Sequence, residues 1–489
     1  MIPALTIVGL LALHFGIAAA APPRALAESP PEAGQPPAGA CIGGIDLLPG
    51  QARLDGCALA TADPEKREPV RLVGFDDAKD RARWEFQAKA GIYQLTVFAR
   101  APHGRKAFEV RVGRSPFAGF FESKEFGPVS LGLLELAEGA NTLEIGGGWG
   151  YYEISQVRLT PASVPPPPGP GPAVAANPQA TPAARAVLKA IAAGYGKHTL
   201  SGQMETADLP LIQQAGADPP AIIAADLMFH SPSMVERQGP PKNHPESVLP
   251  LAARGHLISL MWHWNAPSGL VDNDKFPWWR GFFTDGTTFD VAAALDDPAS
   301  PGHALLLRDI DAIAVPLRKF ADAGIPVLWR PLHEADGAWF WWGAKGPDAF
   351  KKLWRMLFER LTRHHGLHHL LWVVTIENPE WYPGDDVVDF VCVDIYPESR
   401  DDTLVVRWQA LREFYDGRKP LALGEYPGVP DIPRMRRLGV HWAWFCSWQG
   451  EHGPRLTPLP EIRRIYQSAE VVTLPEWRTL TTTPPVTTP

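Results

Sequence analysis

Residues 326–343 read PVLWRPLHEADGAWFWWG, and the fold turns on how this stretch divides. Val327, Leu328 and Trp329 make a short apolar run of the kind needed by a strand buried on both faces. The run breaks at His333-Glu334-Ala335-Asp336-Gly337, and the aromatics Trp339 to Trp342 follow at once. A polar insert in such company is costly to bury unless its groups have partners or a chemical role. A buried strand that delivers an acid at its C-terminal end is the grammar of a parallel α/β barrel, whose strand ends converge on one face.

That grammar repeats on both sides. Strands are expected at 198–203 (HTLSGQ), 221–229 (AIIAADLMF), 256–264 (HLISLMWHW), 326–334, 370–378 (LLWVVTIEN), 388–396 (VDFVCVDIY), 420–426 (PLALGEY) and 441–448 (HWAWFCSW). Helix-like segments, among them 303–322 and 347–365, lie between several of them, so residues 183–470 predict a (β/α)8 TIM barrel. The connection from Asn378 to Val388 is too short for a full helix and predicts one irregular crossover. An open doubly wound sheet is the rival fold, but neither a GxGxxG nor a P-loop accompanies the strands.

Upstream the composition changes. Residues 161–182, PASVPPPPGPGPAVAANPQATP, form a Pro-rich linker expected to run as semi-stiff polyproline II. Residues 41–160 hold short alternating segments such as YQLTVFAR and AFEVRVG between Gly, Asp and Asn turns, which predicts an antiparallel β-sandwich and makes the chain multidomain. Residues 471–489 end TLTTTPPVTTP and are expected to be a disordered tail. Residues 1–27 join an apolar run to Ala25-Leu26-Ala27 and predict a signal peptide, a retained N-terminal anchor being the alternative. The expected location is therefore secreted, extracellular or periplasmic, with no membrane span after cleavage.

A net charge of -8 without a Lys/Arg run over 489 residues gives no footprint for nucleic acid or anionic lipid, and a neutral partner fits better. A monomer is expected. Of the four cysteines, Cys41 and Cys57 could pair, whereas Cys392 and Cys446 sit in apolar strands as inert thiols. None has the spacing of a zinc site, so neither metal nor cofactor is expected.

Seven of the eight strands end in, or lead into, polar or aromatic residues: Gln203, Asp226, His263 with Trp264, His333 with Glu334, Tyr396, Glu425 and Trp448. Taken singly, each has an ordinary structural reading; taken together on one barrel face, they describe a site. Glu334 and Glu425 stand out, because glycoside hydrolysis needs a protonated acid and an ionised carboxylate facing one bond. His333, Trp339 and Phe340 suit the acid role for Glu334, since desolvation raises a carboxyl pKa. A zincin is excluded because HExxH fails at Gly337, and no GxSxG elbow is present.

In this order, HTLSGQ, LMWHWNAP, WRPLHEADGAWFWWG, VDIYP, LALGEYPG and FCSWQG resemble glycoside hydrolase family 26, with the acid motif R-P-x-H-E-x-x-G-x-W-F-W-W-G matched position for position. The resemblance spans Ala183 to about Ala469. It implies a clan A barrel acting chiefly as an endo-β-1,4-mannanase on a polysaccharide substrate, with Glu334 as acid/base and Glu425 as nucleophile of a double displacement. It further implies that His333, Trp339 and Tyr396 shape the reacting subsite, while His263, Trp264 and Trp448 line the cleft. β-1,3-Xylanases and mixed-linkage β-glucanases share the family, and a non-catalytic sugar-binding barrel is the remaining alternative. Asp336 departs from the usual Asn of the motif, which bears on specificity or pH optimum. The run from GIYQLTVFARA through EGANTLEIGGGWGYYEISQVRL resembles family 35 carbohydrate-binding modules. On that likeness Trp149, Tyr151 and Tyr152 are ligand candidates, unless they merely pack the sandwich.

Overall fold

Alternation along Gly91–Arg100 turns Tyr93, Leu95, Val97 and Ala99 inward and leaves their neighbours outward, the pattern of a strand with one face on a core. The computed structural model, which describes residues 43–65, 68–147, 150–241 and 247–482, closes two such antiparallel sheets on one another. One sheet runs Ala58–Ala60, Arg71–Val73, Glu153–Pro161, Gly91–Arg100 and Gly127–Leu136, with Ile45–Leu47 also paired to Glu153–Pro161. The other runs Arg53–Asp55, Arg81–Ala88, Gly139–Gly146, Lys106–Val112 and Ser115–Phe121.

The C-terminal part is a closed parallel barrel of eight strands, as expected from the apolar runs. They are β1 Gly202–Met204, β2 Ile222–Asp226, β3 Leu257–Trp262, β4 Val327–Pro331, β5 Leu370–Thr375, β6 Phe390–Asp394, β7 Leu421–Tyr426 and β8 Phe445–Ser447. Pairing of Gln203 with Ser447 closes the ring. The Gln203 side chain ties this seam by donating to the Met204 and Trp448 carbonyls. Helices Pro301–Asp322 and Gly346–Glu359 flank β4, and the short β5–β6 connection holds no α-helix, only the tight turn Pro379–Trp381 and a second turn closed by Val387 N–H on the Gly384 carbonyl.

Two expectations about irregular segments need correction. Residues 162–181 do lack helix and strand, but they lie along the barrel rather than free of it. The Ala176 N–H donates to the buried Asp389 carboxylate at 2.7 Å, Gly171 N–H to the Ala192 carbonyl at 3.0 Å, and Arg412 to the Pro166 carbonyl at 2.9 Å. The barrel thus supplies the partners that a Pro-rich backbone cannot supply to itself. The expected tail begins too early as well. Val471–Val472 pairs with Thr199–Leu200, and helix Leu474–Thr482 buries Trp477, so order continues to 482. The signal peptide, Cys41 with its pairing to Cys57, Trp149 and the last residues of the chain lie outside the described residues. Among the described residues no helix is long and apolar enough to cross a membrane.

Candidate active site

The acid-bearing motif folds as a strained loop after β4. Leu332, Glu334 and Ala338 all take left-handed backbone, with φ of +51°, +53° and +58°. Side-chain-bearing residues adopt that region only when their surroundings enforce it. The aromatics do the enforcing. Trp342 Nε1 donates to the His333 carbonyl at 2.9 Å, and Trp341 Nε1 donates to the Trp264 carbonyl at 2.6 Å. Gly343 permits the fold-back, because a Cβ there would lie 2.0 Å from the Ala335 carbonyl oxygen. Phe340 stacks on Trp342 and meets His333 and His263 at ring distances of 5.1 and 5.5 Å. The aromatic crowd is therefore scaffold for the acid, except that Trp339 is partly exposed and donates Nε1–H to Glu334 Oε2 at 2.9 Å.

Glu425 points from β7 into a different environment. Its Oε1 accepts from Arg330 Nη2 at 2.6 Å, and its Oε2 accepts from the Tyr396 hydroxyl at 2.8 Å. Arg330, buried in β4, also reaches Asp394 Oδ2 of β6 at 2.5 Å. Oxygens of Glu334, Asp394 and Glu425 lie within 4.8 Å of one another. Three carboxylates thus surround one guanidinium. Ionising all of them would leave a net negative charge in a buried site, and burial followed by the charges of Glu425 and Asp394 holds the Glu334 carboxyl well above the usual carboxylate range. Glu334, and Asp394 with it, is thus held toward the protonated form, while Glu425 accepts hydrogen bonds from Arg330 and Tyr396.

A second chain of groups flanks the acid. Asp226 Oδ2 accepts from His263 Nδ1 at 2.6 Å, and His263 Nε2 meets His333 Nε2 at 3.1 Å. A carboxylate can only accept, so His263 carries a proton on Nδ1, and a single proton lies between its Nε2 and that of His333. Burial, then His263 and Arg330, hold the His333 pKa well below the ordinary imidazole value, which keeps that ring neutral.

The expected site residues thus divide. Glu334, Glu425, His263, His333, Trp339 and Tyr396 converge, and Trp448 belongs to a buried cluster with Met204 and Met261 against which Tyr396 packs. Trp264 does not line the cleft. It is fully buried, stacked on Trp262 at 4.3 Å, and donates Nε1–H to Asp309 of the flanking helix at 2.8 Å. Adjacent residues leave the backbone on opposite sides, so His263 inside sends Trp264 outward to the helix layer. In the sandwich Tyr152 is likewise core, stacked on Phe75 at 4.6 Å, while Tyr151 is exposed with Lys106 Nζ over its ring. Asp336 serves the architecture of the site, since its Oδ2 accepts the N–H groups of Glu377 and Asn378 and pins the loop after β5.

Reading by strand ends passes over Arg330 and Asp394, and takes Asp226 only as a strand end. The available signal is a charge inside an apolar strand run, VLWRP or FVCVD, since such a charge persists only when paired. Glu205, just after β1, escapes that reading too. It has φ +58°, its Oε1 lies 3.4 Å from Asp226 N, and burial pushes it up to about 7. Two groups of side chains among the described residues are close enough to share a metal ion: Glu334 with Asp394 and Glu425, and Asp311 with His364 and His365. In both an arginine already holds a carboxylate, Arg330 in the first and Arg360 in the second.

Comparison with known proteins places the chain in a family. The family model of glycosyl hydrolase family 26 matches residues 176–476. A mannan endo-1,4-beta-mannosidase of Thermothelomyces thermophilus is 39% identical over 430 residues, which cover 87% of this chain and 89% of that protein. The crystal structure of a Podospora anserina GH26-CBM35 β-(1,4)-mannanase superposes with a TM-score of 0.67 at 36% identity, covering 90% of this chain and 100% of that one. A β-mannanase from a symbiotic protist of the termite Reticulitermes speratus, complexed with gluco-manno-oligosaccharide, gives 0.56 at 28% identity over 63% of this chain and 98% of its own. With the family model matched over residues 176–476 and a relative 39% identical over most of both chains, the chain belongs to glycosyl hydrolase family 26 and is a glycoside hydrolase.

Proposed function

We propose that the chain is an endo-acting β-1,4-mannanase that hydrolyses its polysaccharide by double displacement. The observation that carries this reading is the approach of Glu334 and Glu425 oxygens within 4.8 Å, with Glu334 held toward its protonated form and Glu425 accepting hydrogen bonds from Arg330 and Tyr396. Glu334 protonates the leaving oxygen. Glu425, aimed by Arg330 and Tyr396, attacks the anomeric carbon, and Glu334 then takes a proton from the water that releases the sugar. His333 and Trp339 bound the reacting subsite, with His263 behind His333 and Trp448 at the rim. Substrate choice follows the mannanases to which the chain is similar. Release of reducing sugar from a panel of β-mannan, β-1,3-xylan and mixed-linkage β-glucan tests it, and a preference for either of the latter two would overturn it.

Retaining pairs stand about 5.5 Å apart, and inverting pairs about 6.5 to 9.5 Å apart to admit a water. Net retention is therefore expected. Proton NMR of the first product should show the β-anomer before mutarotation, and an initial α-anomer would rule out a covalent intermediate on Glu425.

The sandwich is proposed to hold polysaccharide through Tyr151, whose exposed ring offers an apolar face to a pyranose. In the full chain, Tyr151→Ala should weaken retention on an insoluble mannan gel several-fold and leave hydrolysis of short oligosaccharides unchanged. Unaltered retention would assign the binding elsewhere. The apolar leader at 1–27 is the basis for proposing action outside the cell.

A further inference from the structure

One set of contacts between sandwich and barrel falls on the loop after β6, which carries Tyr396, and on the segment after β7, the strand that carries Glu425. Tyr396 lies just past β6, and Asp401 follows in the same loop. Asp401 Oδ1 accepts from Arg114 Nη2 of the sandwich at 2.9 Å, and the Asp401 carbonyl accepts from Arg434 Nη1 at 2.9 Å. Arg434 sits on helix Ile432–Arg437, which follows β7 and hence Glu425. Its other terminal nitrogen donates to Ser115 Oγ, on sandwich strand Ser115–Phe121, at 2.9 Å. From the same helix Arg437 reaches Glu135 at 3.3 Å. The two domains also meet at backbone distance. Gly132 has φ +82°, and a Cβ on it would come within 3.1 Å of Val405 in the helix that ends the Tyr396 loop.

We propose that the sandwich is a positioning element of the active site: through Ser115 and Arg114 it fixes Arg434 and Asp401, and so holds the loops after β6 and β7 in the register at which Tyr396 donates to Glu425. This rests on the reading of Glu425 as the ionised nucleophile. A guanidinium bound to acceptors on two separate elements acts as a rigid fork, and losing one acceptor leaves a half-buried donor unpaired. Arg434 and Ser115 are both mostly shielded from water, so solvent does not readily replace the missing partner.

The consequence is specific. When Tyr396 drifts, the Glu425 carboxylate loses a hydroxyl donor that favours its charged form, and the acidic limb of kcat/KM is expected at higher pH. The other titratable and charged groups facing Glu425 are Arg330 on β4, Glu334 in the loop after it, Cys392 and Asp394 on β6 and Cys446 on β8; of these only Cys392 and Asp394 share the strand that leads to Tyr396.

The test uses full-length Ser115→Ala, Arg434→Met, Arg434→Lys and Tyr396→Phe on a soluble manno-oligosaccharide. Ser115→Ala and Arg434→Met are expected to lower kcat by about tenfold with KM little changed, since small misplacements of reacting groups act on the chemical step. Their acidic limb should shift upward in the direction of Tyr396→Phe, with partial recovery in Arg434→Lys. In the Tyr396→Phe background the clasp changes should add nothing further. A limb that moves in Tyr396→Phe but stays put in Ser115→Ala and Arg434→Met overturns the clasp alone. A limb unmoved by Tyr396→Phe, at near-normal rate, overturns the reading of Glu425 and the clasp with it. Thermal unfolding controls for folding, and Ser115→Ala, which removes one hydroxyl, decides the matter if Arg434→Met is unstable.

Discussion

Glu425→Gln is expected to lower turnover of soluble β-mannan by about 10⁴-fold or more, the scale seen when a covalent nucleophile is removed. The amide has no anionic lone pair to attack with. It also weakens a buried ion pair, and breaking such a pair by removing a partner costs about 3 to 5 kcal/mol. The loss here should be smaller than that, because Arg330 keeps Asp394 at 2.5 Å and the amide oxygen still accepts from one neighbour. Initial rates of reducing-sugar release, with circular dichroism to confirm the fold, check this. A variant that turned over at near-normal rate would remove Glu425 from the nucleophile role.

Glu334→Ala should lower polysaccharide turnover by about 10² to 10⁴-fold, the usual share of general acid catalysis. The defect should depend on the leaving group. A dinitrophenyl glycoside departs without a proton, so its first step should survive and appear as a burst, followed by slow hydrolysis for want of a base. Azide, which attacks without deprotonation, should restore turnover and yield a glycosyl azide. The pH profile gives an independent reading. Glu334 works protonated, and its carboxyl is held above the ordinary range, so the wild-type rate falls as pH rises through that raised value. Glu334→Ala lacks the group and should lose the alkaline limb. Equal losses on both substrates, or a limb that persists, would assign the acid elsewhere.

The eight strands are legible because parallel strands buried on both faces print continuous apolar runs, and because their polar ends stand out against those runs. Both glutamates are found the same way. Arg330 and Asp394 escape because a single charge inside a strand looks like noise until its partner on the neighbouring strand is known. Trp264 and Tyr152 are misplaced for a related reason: residue type suggests a sugar platform, but the face each side chain takes is set by its backbone neighbour, His263 in one case and Tyr151 in the other. The Pro-rich segment misleads by composition. Proline content reports what a chain can do for itself, not what a neighbouring surface, here Asp389 and the Ala192 carbonyl, can do for it.

That docked segment changes what tethering can accomplish. A flexible spacer lets a binding module sweep a volume and present its catalyst to many chains in any direction, at an effective concentration that falls as the spacer lengthens past the span. A strap fastened along the barrel permits no such search. Module and cleft can engage one polysaccharide together only if its path matches the offset between them. The gain in avidity is then decided by geometry: large on substrate laid out along that path, and absent on substrate whose chains run any other way.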